Sequence, residues 1–226
     1  VSLKVKAVAI DLDGTLLNTA PDLAEAVNRM LVELGRPRIP EQEVMSYVGR
    51  GAAKLIKGLL TGEEDGEPDP KAFTEASQIL FKHYDEVLDV HTHFYAGALE
   101  GVAALKQAGF KLACITNKPA RFTVPLLKSK AVFDDFGLVL SGDSLAEKKP
   151  HPMPLLYACQ QFGIEPSELL MIGDSVSDVQ AARAAACPVF VVPYGYNRGV
   201  SAESLNGDLV VTSILEASQL VEVIAS

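Results

Sequence analysis

The sequence holds only three cysteines, Cys114, Cys159 and Cys187, far apart and with no CxxC pair. That scarcity argues against a disulfide framework and for buried, reduced thiols in a cytosolic protein. Histidine is nearly as sparse. His83, His91, His93 and His151 have no further His or Cys at zinc-ligand spacing, so structural or solvent-exposed roles are expected of them. Positive charge is in deficit: 20 Lys and Arg face 29 Asp and Glu, a formal net charge of −9 with no basic run. A nucleic-acid or anionic-membrane partner is thereby disfavoured. No apolar run approaches the roughly 20 residues of a membrane span. There is no signal-peptide pattern either, since Val1 to Ile10 moves straight into a strand, and a cytoplasmic location is expected. Internal repeats and low-complexity tracts are lacking too. What remains is 226 residues, 48% hydrophobic and 22% charged, enough for one sizeable core and a smaller module.

The most telling stretch that is present is Val5 to Thr19, VKAVAIDLDGTLLNT. Its apolar run, Val5 and Ala7 to Ile10, suits a strand buried on both faces of a parallel sheet. The run ends abruptly in Asp11-Leu12-Asp13-Gly14-Thr15. Two carboxylates two residues apart point the same way if strand pairing persists through them. Like charges beside a buried strand are costly unless a positive charge offsets them, and a bound cation is the simplest solution.

Thr19, Pro21 and Asp22 read as a helix cap with a box-like arrangement. Leu23, Ala26, Val27, Met30, Leu31 and Leu34 follow at helical spacing until Gly35. Further helices are expected over about 41–47, through Leu55, Ile56, Leu59 and Leu60, and from Pro70 to Val87. Val48 to Gly51 reads as a turn and Thr61 to Pro70 as an exposed acidic loop. From Ala98 strands and helices alternate. Strands are expected at 110–116, 138–140, 169–172, 189–192 and 209–211, with helices at 100–108, 119–130, 153–162 and 177–186. The pattern predicts an α/β fold, a Rossmann-like parallel sheet with helices on both faces. Residues 1–17 and 90–226 would form that core, and 18–89 an inserted helical cap.

Sites in open α/β sheets form at the carboxyl ends of the strands. Here those ends carry Asp11 and Asp13, then Thr116-Asn117, then Ser141 and Asp143 leading to Lys148-Lys149-Pro150, then Gly173-Asp174-Ser175 with Asp178. This ordered set resembles the haloacid dehalogenase superfamily of phosphohydrolases. Its four motifs stand here as DLDGT (11–15), TN (116–117), KP (149–150) and GDSVSD (173–178). Within the superfamily the chain is similar to the phosphoglycolate phosphatase group through DGTLLNTAPDL (13–23), NKP (117–119), GDSVSDVQAARAA (173–185) and YGYN (194–197).

The resemblance implies a Mg²⁺-dependent phosphomonoester hydrolase working through an aspartyl-phosphate, with 2-phosphoglycolate as the expected substrate. Asp11 would be the nucleophile and Asp13 the acid and base. The Asp11 carboxylate, the Asp13 carbonyl and the Asp174 carboxylate would hold Mg²⁺, with Asp178 supporting that shell through water or a contact behind it. Thr116, Asn117 and Lys149 would bind the transferring phosphoryl oxygens, and Lys148 would lie on the surface. In the insert, Arg50 between Gly49 and Gly51 is the candidate grip for a substrate carboxylate, with Lys54 in reserve. Residues 91–98 would be the hinge, departing from the family's prolines near Phe94 and Ala96, and closure of the cap would gate the reaction. Ala186 stands where the family commonly has a glycine. YGYN would shape a loop at the rim, without a catalytic role. The expected partner is a small phosphorylated metabolite, and monomer and homodimer are both compatible. Another sugar-phosphate or nucleotide phosphatase, or a phosphomutase of the same fold, are the alternatives.

Overall fold

A computed structural model describes residues 2–63, 65–197 and 199–224. The chain forms two compact units, Val1–Asn18 with Phe94–Ser226, and Thr19–His93. The larger unit is built on parallel strands β1 (Ala7–Ile10), β2 (Lys111–Ile115), β3 (Leu138–Leu140), β4 (Leu169–Gly173), β5 (Val189–Val191) and β6 (Leu209–Val210). They are ordered β3-β2-β1-β4-β5-β6 across one sheet. The first strand is therefore central, with Ala7 opposite Lys111 on one side and Leu169 on the other. All four residues of β1 are buried, as a strand covered on both faces requires. The chain winds outward from β1 in both directions, so the crevice where the order reverses lies at its carboxyl end. A second, two-stranded parallel ladder joins Leu3–Val5 to Val221–Val223, a pairing the local sequence pattern did not suggest.

The smaller unit is helical: α1 (Ala20–Glu33), α2 (Glu41–Met45), α3 (Ala52–Thr61) and α4 (Pro70–Val87). The stripe Leu23, Ala26, Val27, Met30 and Leu31 of α1 is buried, as is Ala76, Leu80, Tyr84 and Val87 of α4, one apolar face per helix. Asp69 caps α4 by accepting the Lys71 and Ala72 N–H groups. The capping reading at α1 is corrected. Thr19 is the N-cap but makes no side-chain cap bond. Asp22, 1% exposed, instead accepts from the His91 and Thr92 N–H groups at 2.7–3.0 Å and from the Thr92 hydroxyl at 2.7 Å. Donors about seventy residues away in sequence outcompete the local box, because a buried carboxylate needs several strong partners. No helix among the described residues is long and apolar enough to cross a membrane.

The larger unit carries α5 (Ala98–Gln107), α6 (Ala120–Ser129), α7 (Met153–Phe162), α8 (Val176–Ala185) and α9 (Ile214–Gln219). Helix α8 ends on Ala186 in the left-handed conformation, φ +58° and ψ +32°. The substitution noted in the sequence thus changes the residue and not the geometry of the helix end. Ala186 is exposed, so its methyl packs on little and bears the steric cost of that conformation. Ala186→Gly is expected to raise stability by about 1 kcal/mol. An unchanged or lowered midpoint in urea unfolding would contradict this.

Candidate active site

The site is assembled where β1, β2 and β4 end. Asp11 is one residue beyond β1, and its N–H still donates to Ile172 O at 3.0 Å. Pairing then stops. The chain turns so that Leu16 and Leu17 N–H both donate to Leu12 O, and Gly14 N–H to Leu17 O. The strand pairing that would have pointed Asp11 and Asp13 the same way therefore does not persist through them. Each faces its own cation: Lys149 Nζ lies 2.8 Å from Asp11 Oδ1, and Lys118 Nζ lies 2.9 Å from Asp13 Oδ1.

Lys149 is 2% exposed. Its ammonium donates to Ile115 O and Asp178 Oδ1, each at 2.6 Å, and its third contact is Asp11. Two ammonium hydrogens are thus engaged in hydrogen bonds, and the contact with Asp11 is an ion pair. Burial disfavours its charge, yet Asp11 and Asp178 more than offset that and raise its pKa. Asp178 is fully buried. Besides Lys149 it accepts the Ser175 N–H at 3.0 Å and the Ser175 hydroxyl at 2.7 Å on Oδ2, completing a capping box for α8. Asp174 lies across from it. Its Oδ1 accepts the Thr15 hydroxyl at 2.8 Å and its Oδ2 the Tyr196 N–H at 2.6 Å. Gly14 and Gly195 press against this carboxylate: a Cβ on either would come within 2.5 Å of Oδ2, and Gly14 has φ +88°. Only glycine lets the backbone approach so closely there.

Thr116 and Asn117 follow β2. The Thr116 hydroxyl accepts the Lys118 N–H at 3.1 Å, which leaves its own proton to donate. The Asn117 side-chain amide donates to Lys149 O at 2.7 Å and ties this turn to the lysine loop. Arg50 belongs to the smaller unit, between Gly49 (φ +105°) and Gly51 (φ +89°). Its Nη1 lies 4.0 Å from Asp65 Oδ1, and Lys54 donates to the same oxygen at 2.8 Å.

Three residues of the site were not singled out by sequence reasoning. Lys118 reads locally as one more charged residue between Asn117 and Pro119, and its burial is the only signal of its role. Thr15 sits inside DGT without an obvious job. Tyr196, in a loop given no catalytic part, supplies a backbone N–H that no side-chain pattern could reveal. Tyr194 of that loop donates to Thr15 O at 3.0 Å, and its ring lies 4.3 Å from that of Tyr95.

The residues suit a divalent metal. Carboxylate oxygens of Asp11, Asp174 and Asp178 lie within 4.8 Å of one another, and all three residues are buried. Asp11 Oδ1 accepts no aligned hydrogen bond, and at 2.8 Å the Lys149 contact is ionic in character. Four carboxyl groups face two ammonium groups, an excess of acidic groups that a dication would offset, and hard oxygen donors match a hard dication. The electrostatics agree. Burial pushes the Asp11 carboxyl up to about 7, with Asp178 and Asp13 adding to it and Lys149 opposing. Burial, then Asp178 and Asp11, likewise holds Asp174 well above the usual carboxylate range.

A pH signature follows. Asp11 has an ordinary value of 3.8 and rises to about 7 on folding. The folded chain binds the extra proton, so this stabilisation is complete below about 4 and is lost as pH rises through 7. Metal-free protein is expected to lose on the order of a few kcal/mol between pH 5 and 8. Added Mg²⁺ should then raise the melting temperature more at pH 8 than at pH 5. A metal-induced shift independent of pH would contradict the assignment of these carboxylates.

A model of the haloacid dehalogenase-like hydrolases matches residues 5–186. The chain is 54% identical over 219 residues to the phosphoglycolate phosphatase of Thiobacillus denitrificans, covering 97% of this chain and 96% of that one. It is 51% identical over 220 residues to the phosphoglycolate phosphatase of Nitrosospira multiformis, covering 97% of each. Among solved structures it is similar to a predicted phosphoglycolate phosphatase from Haemophilus somnus. The TM-score is 0.90 at 33% identity, over 95% of this chain and 97% of that one.

Proposed function

Because the chain belongs to the haloacid dehalogenase-like hydrolases, we propose that it is a Mg²⁺-dependent phosphatase converting 2-phosphoglycolate to glycolate and inorganic phosphate. The observation that carries this reading is Asp11, buried at the switch point of the sheet and 2.8 Å from Lys149. The names of its full-length relatives supply the substrate.

An Asp11 carboxylate oxygen attacks phosphorus in line, the ester P–O bond breaks, and an aspartyl-phosphate forms. Asp13 gives its proton to the departing alkoxide. It then takes a proton from the water that attacks the same phosphorus, which releases phosphate and restores Asp11. The Thr116 hydroxyl, the Asn117 amide and Lys149 hold the phosphoryl oxygens. Asp11, the Asp13 carbonyl and Asp174 would hold Mg²⁺, which when bound supplies positive charge against the developing phosphoryl charge. Asp178 positions Lys149 and the start of α8.

We assign Thr19–His93 the part of a cap that selects substrate, and Arg50 that of gripping the substrate carboxylate. Glycines at positive φ on both sides favour this, since they let a loop close on a ligand. We take the enzyme to act in the cytoplasm on this small metabolite.

A panel of 2-phosphoglycolate, glycerol phosphate, a hexose phosphate and a nucleoside monophosphate tests the proposal. With Mg²⁺ present, 2-phosphoglycolate should give the highest kcat/KM, and EDTA should abolish phosphate release. Arg50→Ala should raise KM for 2-phosphoglycolate about tenfold or more and leave glycerol phosphate unchanged. Transfer of phosphate between positions of a sugar without net release, or no turnover of 2-phosphoglycolate, would overturn the assignment.

A further inference from the structure

Lys149 and Lys118 are the two ammonium groups of the site, and the mechanism above uses only Lys149. Lys118 is 6% exposed, and its Nζ lies 2.9 Å from Asp13 Oδ1. Its backbone is fixed from three sides. The N–H donates to the Thr116 hydroxyl, and the carbonyl accepts from Gly142 N–H at 2.8 Å and from the Thr123 hydroxyl at 3.1 Å. These partners come from the end of β2, the loop after β3 and helix α6. The anchor of the side chain is thus set by three separate elements, while its tip reaches a fourth, the loop after β1.

Asp13 needs such a hold. It lies past the end of β1, in a tight turn whose backbone is held by Leu16 and Leu17 N–H on Leu12 O and Gly14 N–H on Leu17 O, and its side chain is less buried than that of Asp11. Its job demands placement, because a proton donor must lie within hydrogen-bond reach of the departing oxygen, and a displacement near 1 Å costs about a hundredfold. A carboxylate on a turn keeps its rotamer only if something locks it.

We propose that Lys118 is a positioning residue for Asp13: it fixes one carboxylate oxygen so that Asp13 meets the oxygen leaving phosphorus. This rests on the reading of Asp13 as proton donor. It predicts a selectivity that neither phosphoryl binding nor carboxylate gripping would produce. An alkoxide leaves poorly without a proton, whereas p-nitrophenolate leaves well without one. Kinetics on 2-phosphoglycolate, glycerol phosphate and p-nitrophenyl phosphate, with Mg²⁺, therefore separate the cases. The quantity read is kcat/KM, which stops at the first phosphoryl transfer.

Lys118→Met should lose about 10- to 100-fold on both alkyl esters and less than about threefold on p-nitrophenyl phosphate. Lys118→Arg, which keeps the ion pair, should recover part of the loss and covers the case in which the methionine variant folds poorly. Asp13→Asn is the control and should show the same asymmetry more strongly. Equal losses on all three esters would make Lys118 a phosphoryl ligand, and a loss on 2-phosphoglycolate alone would make it a carboxylate grip. Either result overturns the proposal, as does wild-type behaviour of Lys118→Met. If Asp13→Asn itself lacks the asymmetry, Asp13 is not the proton donor, and the underlying reading fails first.

Discussion

Asp11→Asn is expected to lower phosphate release by at least three orders of magnitude, roughly the scale seen when a covalent nucleophile is removed. The amide is the same size as the carboxylate but has no anionic oxygen to attack phosphorus. The variant should nonetheless fold, and in the absence of metal it should be more stable than the parent. The reason is electrostatic. Burial holds the Asp11 carboxyl up to about 7, so at pH 8 the metal-free chain carries a charge it is reluctant to bear. A neutral amide removes that cost, and its carbonyl oxygen can still face Lys149. Steady-state assays and thermal melts in EDTA at pH 8 check both halves. Turnover above about 1% of the parent, in protein free of parental contamination, would remove Asp11 from the nucleophile's place. A melting temperature lowered in EDTA would mean that its charge is stabilising after all.

Lys149→Met should have the opposite effect on stability. Methionine fills much of the same space, but the change strips the counter-charge from Asp11 and fully buried Asp178, and leaves Ile115 O without its donor. Breaking a buried pair from one side costs about 3–5 kcal/mol, because a charge stays behind without compensation. Activity should fall by about two to three orders of magnitude, as when a preorganised donor to a developing anion is lost. Urea unfolding at pH 7 gives the first number and phosphate release the second. Adding Asp178→Asn to the lysine variant should restore part of the stability and none of the activity. Independent, additive effects of the two changes would show that Lys149 and Asp178 do not act as a pair.

How much of this was open to reading beforehand depends on the range of the interactions involved. The run from Ala7 to Ile10 announced a buried strand because β-sheet burial leaves a local trace. The polar residues at successive strand ends announced a site because the parallel architecture gathers those ends. Asp22 departs from its local capping pattern because its partners, His91 and Thr92, are distant in sequence and that pattern is generic. The ladder between Leu3–Val5 and Val221–Val223 left no trace for the same reason. Lys118 escaped notice because a lysine in a polar turn is usually solvated, and only the fold reveals that this one is enclosed. The backbone donor at Tyr196 is invisible in principle, since every non-proline residue carries an N–H.

The central position of β1 also bears on synthesis. In chain order β1 precedes both of its sheet neighbours, Lys111–Ile115 and Leu169–Gly173. At 5–20 residues per second, roughly 8–30 s pass before the second of them is available. Throughout that interval an apolar segment with at least one open edge must be kept from pairing with other nascent chains. The helical unit, encoded wholly between β1 and β2, can complete itself in the meantime from contacts of its own. Slowing translation between residues 115 and 169 should therefore lengthen dependence on chaperones, while the same slowing after residue 173 should matter far less.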